Sequence, residues 1–113
     1  VGAPGVVRML ALAHRRHGRL PWARLFARAI RLAEDGFAIS PRLARLIAAD
    51  RALSLDADAR AYFYEPDGTP KRAGTVLRNP ALAAVLREIA RDGAETFYTG
   101  TIARDIAAKV QAH

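Results

Sequence analysis

The chain has 113 residues, of which 51% are hydrophobic, and it carries a formal net charge of +7. This length suits one domain with a modest core, and this hydrophobic fraction argues against intrinsic disorder. Because no apolar run approaches the roughly 18 residues of a membrane span and cysteine is absent, spanning helices, disulfides and thiolate chemistry are excluded. The chain begins at Val1 without an initiator Met or a signal-like stretch, so we expect part of a longer or processed gene product.

The positive charge is concentrated in the first third of the chain. Residues 1–33 contain seven arginines and no Asp or Glu, and the remainder contains 11 basic and 11 acidic residues. Such asymmetry is typical of nucleic-acid-binding proteins, although an arginine-rich and alanine-rich coding bias would also produce it. Arg24, Arg28 and Arg31 recur at i, i+4 and i+7 on the polar side of one helix. We interpret them as a solvated helix face, with an anion-binding surface or pairing to acidic groups of a parent protein as alternatives.

The first two predicted helices have marked ends. Pro4–Gly5 opens the first helix, which has a broad apolar side and continues to Gly18. Pro21 opens the second, which ends at Gly36, a residue suited to the left-handed position that follows a helix. Apolar residues recur along the second helix at three- and four-residue spacing, which predicts a face packed on a core: Trp22, Leu25, Phe26, Ala29, Leu32 and Ala33.

The remaining helices begin at capping residues. Side-chain oxygens of Ser, Asp and Asn satisfy free N–H groups at a helix start, and proline costs nothing at the first helical position. These signals predict a helix from Ser40–Pro41 to about Arg51, a short segment capped by Asp56 and running through Phe63, a helix from Asn79–Pro80 to Gly93, and a last helix from about Thr101.

One segment has β character. The aromatic run Tyr62–Tyr64 is prone to form a strand, and Glu65–Gly68 contains the proline and glycine that a tight turn requires. Lys71–Ala73 can return beside the first strand, with Pro70 keeping this pair at an edge. The sequence therefore predicts one small β-hairpin near residues 62–73.

The candidate chemical residues do not form a recognisable active site. His14 and His17 lie at i, i+3, a spacing that can place two imidazoles on one metal, but the first third of the chain offers no carboxylate as a third ligand. We therefore interpret them as structural histidines. Asp56 and Asp58 do not face each other at i, i+2 on a helix, so capping is the better account of this pair than acid–base chemistry.

Other candidates are equally weak. Ser40 and Ser54 lie at helix starts with no adjacent base. Val1–Gly5 lacks the lysine and the spacing of a phosphate loop. Four aromatic residues fit core anchors better than base-stacking platforms: Trp22, Phe26, Phe63 and Phe97.

Three blocks of the sequence, in order, resemble the gamma-glutamyltranspeptidase family. VGAPG at residues 1–5 is similar to the family element VGxPG, and it precedes the helix with LALAHRRHG. RLPWARLFARAIRLAEDGFAISPRLA at residues 19–44 is close to the family pattern in nearly every Gly, Pro and aromatic position. Residues 61–110 resemble the family's hairpin, its R/N-P-x-L-A helix and its F-Y-x-G-x-I-A segment.

The resemblance implies an N-terminal-nucleophile hydrolase made as one precursor that cuts itself into a large and a small subunit. A threonine at the new N-terminus of the small subunit attacks a gamma-glutamyl amide of glutathione or a related donor, with its own amine as base. The gamma-glutamyl group then passes to water, an amino acid or a peptide. In the family, an arginine that grips the donor's α-carboxylate precedes the VGxPG element, and the threonine lies beyond the equivalent of His113.

From this resemblance we expect a mainly α chain with one small β-hairpin, an excised helical part of an αββα N-terminal-nucleophile hydrolase, with residues 1–113 forming a single helical domain. Arg8 and Thr101 do not occupy the family's motif positions, so no catalytic, cofactor-binding or metal residue and no cofactor are assigned. The parent is expected to be an enzyme and this chain to be inactive alone. Its expected partners are the rest of the large subunit, the small subunit and a gamma-glutamyl donor, without nucleic acid or membrane.

Further expectations concern surface and location. Apolar residues cover most of the first helix, so the isolated chain should expose apolar surface or self-associate. Bacterial relatives are often periplasmic or secreted, which implies export, with a cytoplasmic location left open. The alternative function is a small basic helical domain that binds nucleic acid or another protein. A nucleic-acid-binding domain would lose affinity steeply with salt.

Overall fold

The computed structural model describes residues 3–112, which are mainly helical. The helices, in chain order, are α1 (Val6–His17), α2 (Ala27–Asp35), α3 (Pro41–Ala49), α4 (Ala57–Phe63), α5 (Pro80–Asp92), α6 (Thr96–Thr99) and α7 (Thr101–Gln111). Two 3-10 turns cover Trp22–Phe26 and Arg51–Ser54, and two short strands are β1 (Phe37–Ala38) and β2 (Val76–Leu77). Within residues 3–112 no helix has the length and apolar character needed to cross a membrane.

The residues fall into two compact units. Unit 1 comprises the residues up to Arg31 and those from Pro80 onward, and unit 2 comprises Leu32–Asn79. The expectation of one helical domain over residues 1–113 stays a prediction. Val1 and Gly2 of the VGAPG element lie outside the described residues.

Local capping sets the starts of α3 and α4 as predicted. The Ser40 Oγ accepts a hydrogen bond from the Leu43 N–H at 3.1 Å, and the Asp56 Oδ1 accepts one from the Ala59 N–H at 2.8 Å. Each bond satisfies an N–H group that the helix itself leaves unpaired. Gly36 follows α2 with φ of 86°, a left-handed conformation that glycine adopts without a Cβ penalty. The predicted starts of α3, α4 and α5 are confirmed.

The second predicted helix begins later than the sequence indicated. Trp22–Phe26 is a 3-10 turn, and the α-helix starts only at Ala27. Pro21, at the N-cap position, has no side-chain oxygen, and its carbonyl accepts from the Arg24 N–H at 3.0 Å. This i→i+3 bond tightens the first turn in place of a side-chain cap.

The predicted hairpin near residues 62–73 is wrong in its strands. Tyr62 and Phe63 belong to α4, and the segment keeps only one bridge, between Tyr64 and Pro70, around a tight turn. The sheet instead pairs β1 with β2 antiparallel, with Phe37 opposite Leu77. The Asp56 cap and packing on a core override the strand preference of the aromatic run, since β propensity depends strongly on context.

That core is the centre of unit 2. The side chains of Ile39, Ile47 and Leu77 are almost completely buried and contact one another. Five partly buried residues pack against this cluster: Leu43, Ala44, Tyr62, Phe63 and Tyr64. The cluster therefore joins the segment after β1, helices α3 and α4, and β2 through the hydrophobic effect.

Unit 1 is organised around Trp22, the single tryptophan of the chain. Its indole N–H donates to the Ile89 carbonyl at 3.0 Å, which ties the 3-10 turn to α5. The ring meets Phe26 and His14 edge to face, with centroids 4.9 and 5.3 Å apart. A partly buried aromatic ring with close ring contacts is a packing anchor, and the indole N–H of Trp22 also has a partner, as the sequence predicted for Trp22 and Phe26.

Candidate functional site

The Tyr98 hydroxyl links α6 to the beginning of α1, because it both donates and accepts a hydrogen bond there. Its hydroxyl donates to the Pro4 carbonyl at 2.8 Å and accepts from the Arg8 backbone N–H at 2.9 Å. Gly5 precedes α1 and supplies no side-chain cap, so the Tyr98 hydroxyl satisfies a helix N–H that would otherwise need water. A residue 90 positions away in sequence thus caps α1.

The side chain of Arg8 completes this cluster. Its guanidinium carbon lies 4.2 Å from the centre of the Tyr98 ring, and a terminal nitrogen lies 3.3 Å from a carboxylate oxygen of Glu95. Both members of the ion pair are largely exposed, so the pair contributes little by itself. Arg8 therefore has a packing and pairing role in the structure.

His14 is held by two contacts within unit 1. Its Nε2 lies 2.7 Å from the Leu20 carbonyl, which can only accept, so this nitrogen carries the proton. The ring also packs on Trp22, as expected of a structural histidine, whereas His17 is exposed. Within residues 3–112 no three His, Cys, Asp or Glu side chains are grouped so that they could hold a metal ion.

The candidate serines and carboxylates lie at the ends of helices and in turns, where most of them form local hydrogen bonds. Ser40 caps α3, and the Ser54 hydroxyl donates to the Arg51 carbonyl at 2.9 Å. Asp56 caps α4, as predicted, and Asp58 follows in the first turn of that helix. The structure gives each serine hydroxyl a local backbone partner and does not bring either one to a base.

The remaining candidates lie on the surface or in the cores. Arg24 is in the 3-10 turn, Arg28 and Arg31 are in α2, and all three are exposed, which agrees with a solvated face. Thr101 is the first residue of α7 and is exposed. Phe97 is half-buried, with its ring edge to face against Tyr98 at 5.1 Å.

The shifted pKa values belong to exposed turn and helix-end residues. The backbone N–H of Thr69, followed by the Thr69 hydroxyl, donates to Asp67 and holds the pKa of that carboxyl below its ordinary value. A hydrogen bond with Arg91 lowers the pKa of Asp92, and the same partnership raises the pKa of Arg91. Each of these shifts has a local structural cause at an exposed residue, so they do not indicate a catalytic site.

Unit 1 also contains an open apolar groove of about 530 Å³. It is lined by residues of α1, the 3-10 turn, α2 and α5: Leu10, Ala13, His14, His17, Gly18, Trp22, Leu25, Phe26, Ala29 and Leu86. Several of its apolar members are about half exposed, including Leu10 at 49% and Leu25 at 50%. Exposed apolar residues on one concave surface are typical of a binding or packing surface.

Sequence reasoning missed the cluster around Tyr98 and a second hydrogen bond nearby. The Thr96 hydroxyl donates to Glu88 at 2.6 Å and links α6 to α5. The sequence contained no signal for either contact, because each joins residues of different helices. The F-Y-x-G segment, which contains Tyr98, resembles a family pattern and by itself indicates neither contact.

A family model described as gamma-glutamyltranspeptidase matches residues 1–113. The human glutathione hydrolase 5 proenzyme is 41% identical over 103 residues, which are 90% of this chain and 18% of that protein. Scoloptoxin SSD14 of Scolopendra dehaani is 37% identical over 108 residues, 94% of this chain and 19% of the toxin. The crystal structure of Helicobacter pylori gamma-glutamyltranspeptidase superposes with a TM-score of 0.92 and 28% identity, over 99% of this chain and 32% of the solved one.

The chain thus spans less than a fifth of the length of these curated relatives. The predicted family resemblance is confirmed over the whole sequence. The same matches do not favour the alternative of a small basic nucleic-acid-binding or interaction domain.

Proposed function

This chain belongs to the gamma-glutamyltranspeptidase family, and on that premise we propose that it is the structural helical part of the large subunit of a gamma-glutamyltransferase or glutathione hydrolase. The observation that carries this proposal is the agreement of sequence and fold with the family across almost every residue of the chain. The chain covers 18% of the length of the human relative, so most of the proposed enzyme lies outside this chain.

In the proposed enzyme, the chemistry takes place in the part outside this chain. A threonine at the N-terminus of a self-cleaved small subunit attacks the gamma-glutamyl carbonyl of glutathione or a related donor, and its free amine takes the hydroxyl proton. The amide bond breaks with release of the amine product, and an ester between the threonine and the gamma-glutamyl group remains. Water, an amino acid or a peptide then accepts that group and regenerates the hydroxyl.

Four hydroxyl groups in the described part of the chain support a structural role. Those of Ser40, Ser54, Thr96 and Tyr98 all have partners that cap helices or join neighbouring elements. A nucleophile must instead be held by a base, with a free path to a substrate carbonyl. The absence of catalytic, cofactor-binding and metal residues from this chain stays a prediction.

Hydrolysis of a chromogenic gamma-glutamyl anilide tests the proposal. The longer proenzyme that contains this segment should release the chromophore after self-cleavage, and the purified chain of 113 residues should not. Activity of the purified chain would contradict the structural role, and inactivity of a folded, cleaved proenzyme toward several gamma-glutamyl donors would contradict the enzymatic one. Cell fractionation of the same proenzyme tests the separate prediction that it is exported.

A further inference from the structure

The apolar groove of unit 1 has an unusual electrostatic setting. The segment from Leu10 to Ala29 supplies nearly all of its lining and contains five arginines and no acidic residue: Arg15, Arg16, Arg19, Arg24 and Arg28. All five arginines are exposed. The groove therefore combines an apolar floor with a rim on which the fixed charges of this segment are positive.

The lining residue from α5 does not reverse this charge. Leu86 is followed by Arg87 and Glu88, and Glu88 already accepts the hydrogen bond of the Thr96 hydroxyl. The nearby Glu95 pairs with Arg8 at the other end of α1. Asp92, at the end of α5, is hydrogen-bonded to Arg91, so the carboxylates of Glu88, Asp92 and Glu95 each have a partner within unit 1.

We propose that this groove is a docking surface for an amphipathic segment with acidic residues beside its apolar face, supplied by the rest of the parent polypeptide. This inference rests on the proposed function, because it needs a longer protein around this chain. Burial of the half-exposed side chains of Leu10 and Leu25, and of the remaining exposed part of Trp22, provides the main gain, and carboxylates near Arg24 and Arg28 provide orientation and selectivity.

Two observations favour this occupant over a second copy of the chain. About four-fifths of the length of the curated relatives lies outside the matched region, so such a protein has ample chain to cover the groove. A symmetric pair through the same face would bring two arginine-rich segments together, and like charges in an interface are unfavourable. An acidic segment would instead place carboxylates beside these arginines, and such opposite charges attract.

Fluorescence of Trp22 tests the chemistry of the groove directly, because the single tryptophan lies in its wall. The purified chain is titrated with two helical probe peptides that share one leucine face and carry either glutamates or lysines on the flanking positions. The acidic probe should bind at least about tenfold more tightly, with a blue shift of the emission, because its charges complement the arginines. Its affinity should fall as salt rises.

Amino-acid substitutions distinguish binding in the groove from binding elsewhere on the surface. Leu25→Glu should abolish binding of the acidic probe, whereas Leu55→Glu should not, since Leu55 is 86% exposed and lies in unit 2. The double change Arg24→Glu with Arg28→Glu should remove most of the preference for the glutamate probe, because the charge of the segment from Leu10 to Ala29 falls from +5 to +1. All four substituted positions are exposed enough to accept glutamate, and circular dichroism verifies that each variant folds.

Thiol labelling tests the source of the occupant. The chain has no cysteine, so Leu25→Cys introduces one reporter that should react rapidly in the purified chain and at least about tenfold more slowly in the longer proenzyme, because burial denies the reagent access. This protection does not require enzymatic activity, so it stays informative if the proposed reaction is wrong. Equal reactivity in both proteins, equal affinity for the two probes, or a dimer of the chain that Leu25→Glu dissociates would overturn the inference.

Discussion

Replacing Tyr98 with Phe removes one hydroxyl that joins α6 to the beginning of α1. The hydroxyl has two partners, the Pro4 carbonyl at 2.8 Å and the Arg8 N–H at 2.9 Å. The substitution preserves the ring, which lies under the Arg8 guanidinium. Any loss of stability in Tyr98→Phe therefore reports the two hydrogen bonds and not the packing of the aromatic ring.

The expected magnitude follows from these two bonds. A hydrogen bond contributes about 0.5–1.5 kcal/mol net to stability. Both bonds lie in an exposed environment where water can replace the hydroxyl, so we expect a total loss of about 1–2 kcal/mol in the free energy of unfolding. For a unit of this size, each kcal/mol corresponds to a fall of about 4–8 °C in melting temperature.

Urea unfolding followed by Trp22 fluorescence measures this loss, because Trp22 and Tyr98 both belong to unit 1. Tyr64→Phe is a matched control. Its hydroxyl lies 3.5 Å from the Ile47 carbonyl and 3.4 Å from the Asp50 carbonyl, and such long hydrogen bonds are weak. Circular dichroism, which also detects unit 2, should therefore show a smaller shift for Tyr64→Phe than for Tyr98→Phe.

A double-mutant cycle separates the hydroxyl contacts of Tyr98 from the contact between its ring and the Arg8 guanidinium. Tyr98→Phe and Arg8→Ala should be additive within about 0.5 kcal/mol, because the lost hydroxyl contacts the backbone of Arg8 and not its side chain. Tyr98→Ala and Arg8→Ala should couple, since each removes the contact between ring and guanidinium. A Tyr98→Phe variant as stable as the wild type, or one that couples strongly to Arg8→Ala, would refute the tertiary cap.

Three further changes test packing and charge. Gly18→Ala should lower stability by about 1–3 kcal/mol, because its Cβ would lie 2.3 Å from the His14 ring; denaturant midpoints measure this loss. Ile47→Ala should cost about 2–5 kcal/mol by leaving a cavity in the core of unit 2, as measured by circular dichroism. Asp67→Asn should flatten the pH dependence of stability below pH 3.8, the ordinary pKa of this carboxyl. Folding lowers the pKa of Asp67, so its carboxylate stabilises the folded state above pH 3.8. This stabilisation is lost as the pH falls through the folded-state pKa.

Each of these predictions has its own control. Gly5→Ala should change stability by less than about 0.5 kcal/mol, since its Cβ would meet only the Ala3 carbonyl at 4.0 Å. Leu46→Ala, beside Ile47 but 56% exposed, should cost far less than Ile47→Ala. Equal losses for either pair, or an acid-stability curve of Asp67→Asn that overlays the wild-type curve, would contradict the corresponding account.

The sequence by itself determined where most helices begin and end. The Ser40 and Asp56 caps, Pro80 at a first helical position, and Gly36 after α2 act through bonds and dihedral angles within a few residues. Such signals can be recognised without knowledge of the fold because their partners are neighbours in the chain. The family pattern was also readable, since it depends on the order of glycines, prolines and aromatic residues.

Tertiary structure decided the contacts between distant residues. The pairing of Phe37 with Leu77, the helical state of Tyr62 and the cap that Tyr98 provides to α1 each depend on partners far away in sequence. The groove beside Trp22 likewise exists only once helices from both ends of the sequence have packed together in unit 1. Local propensity is a fraction of a kcal/mol per residue, and burial in a core or one well-placed hydrogen bond exceeds it.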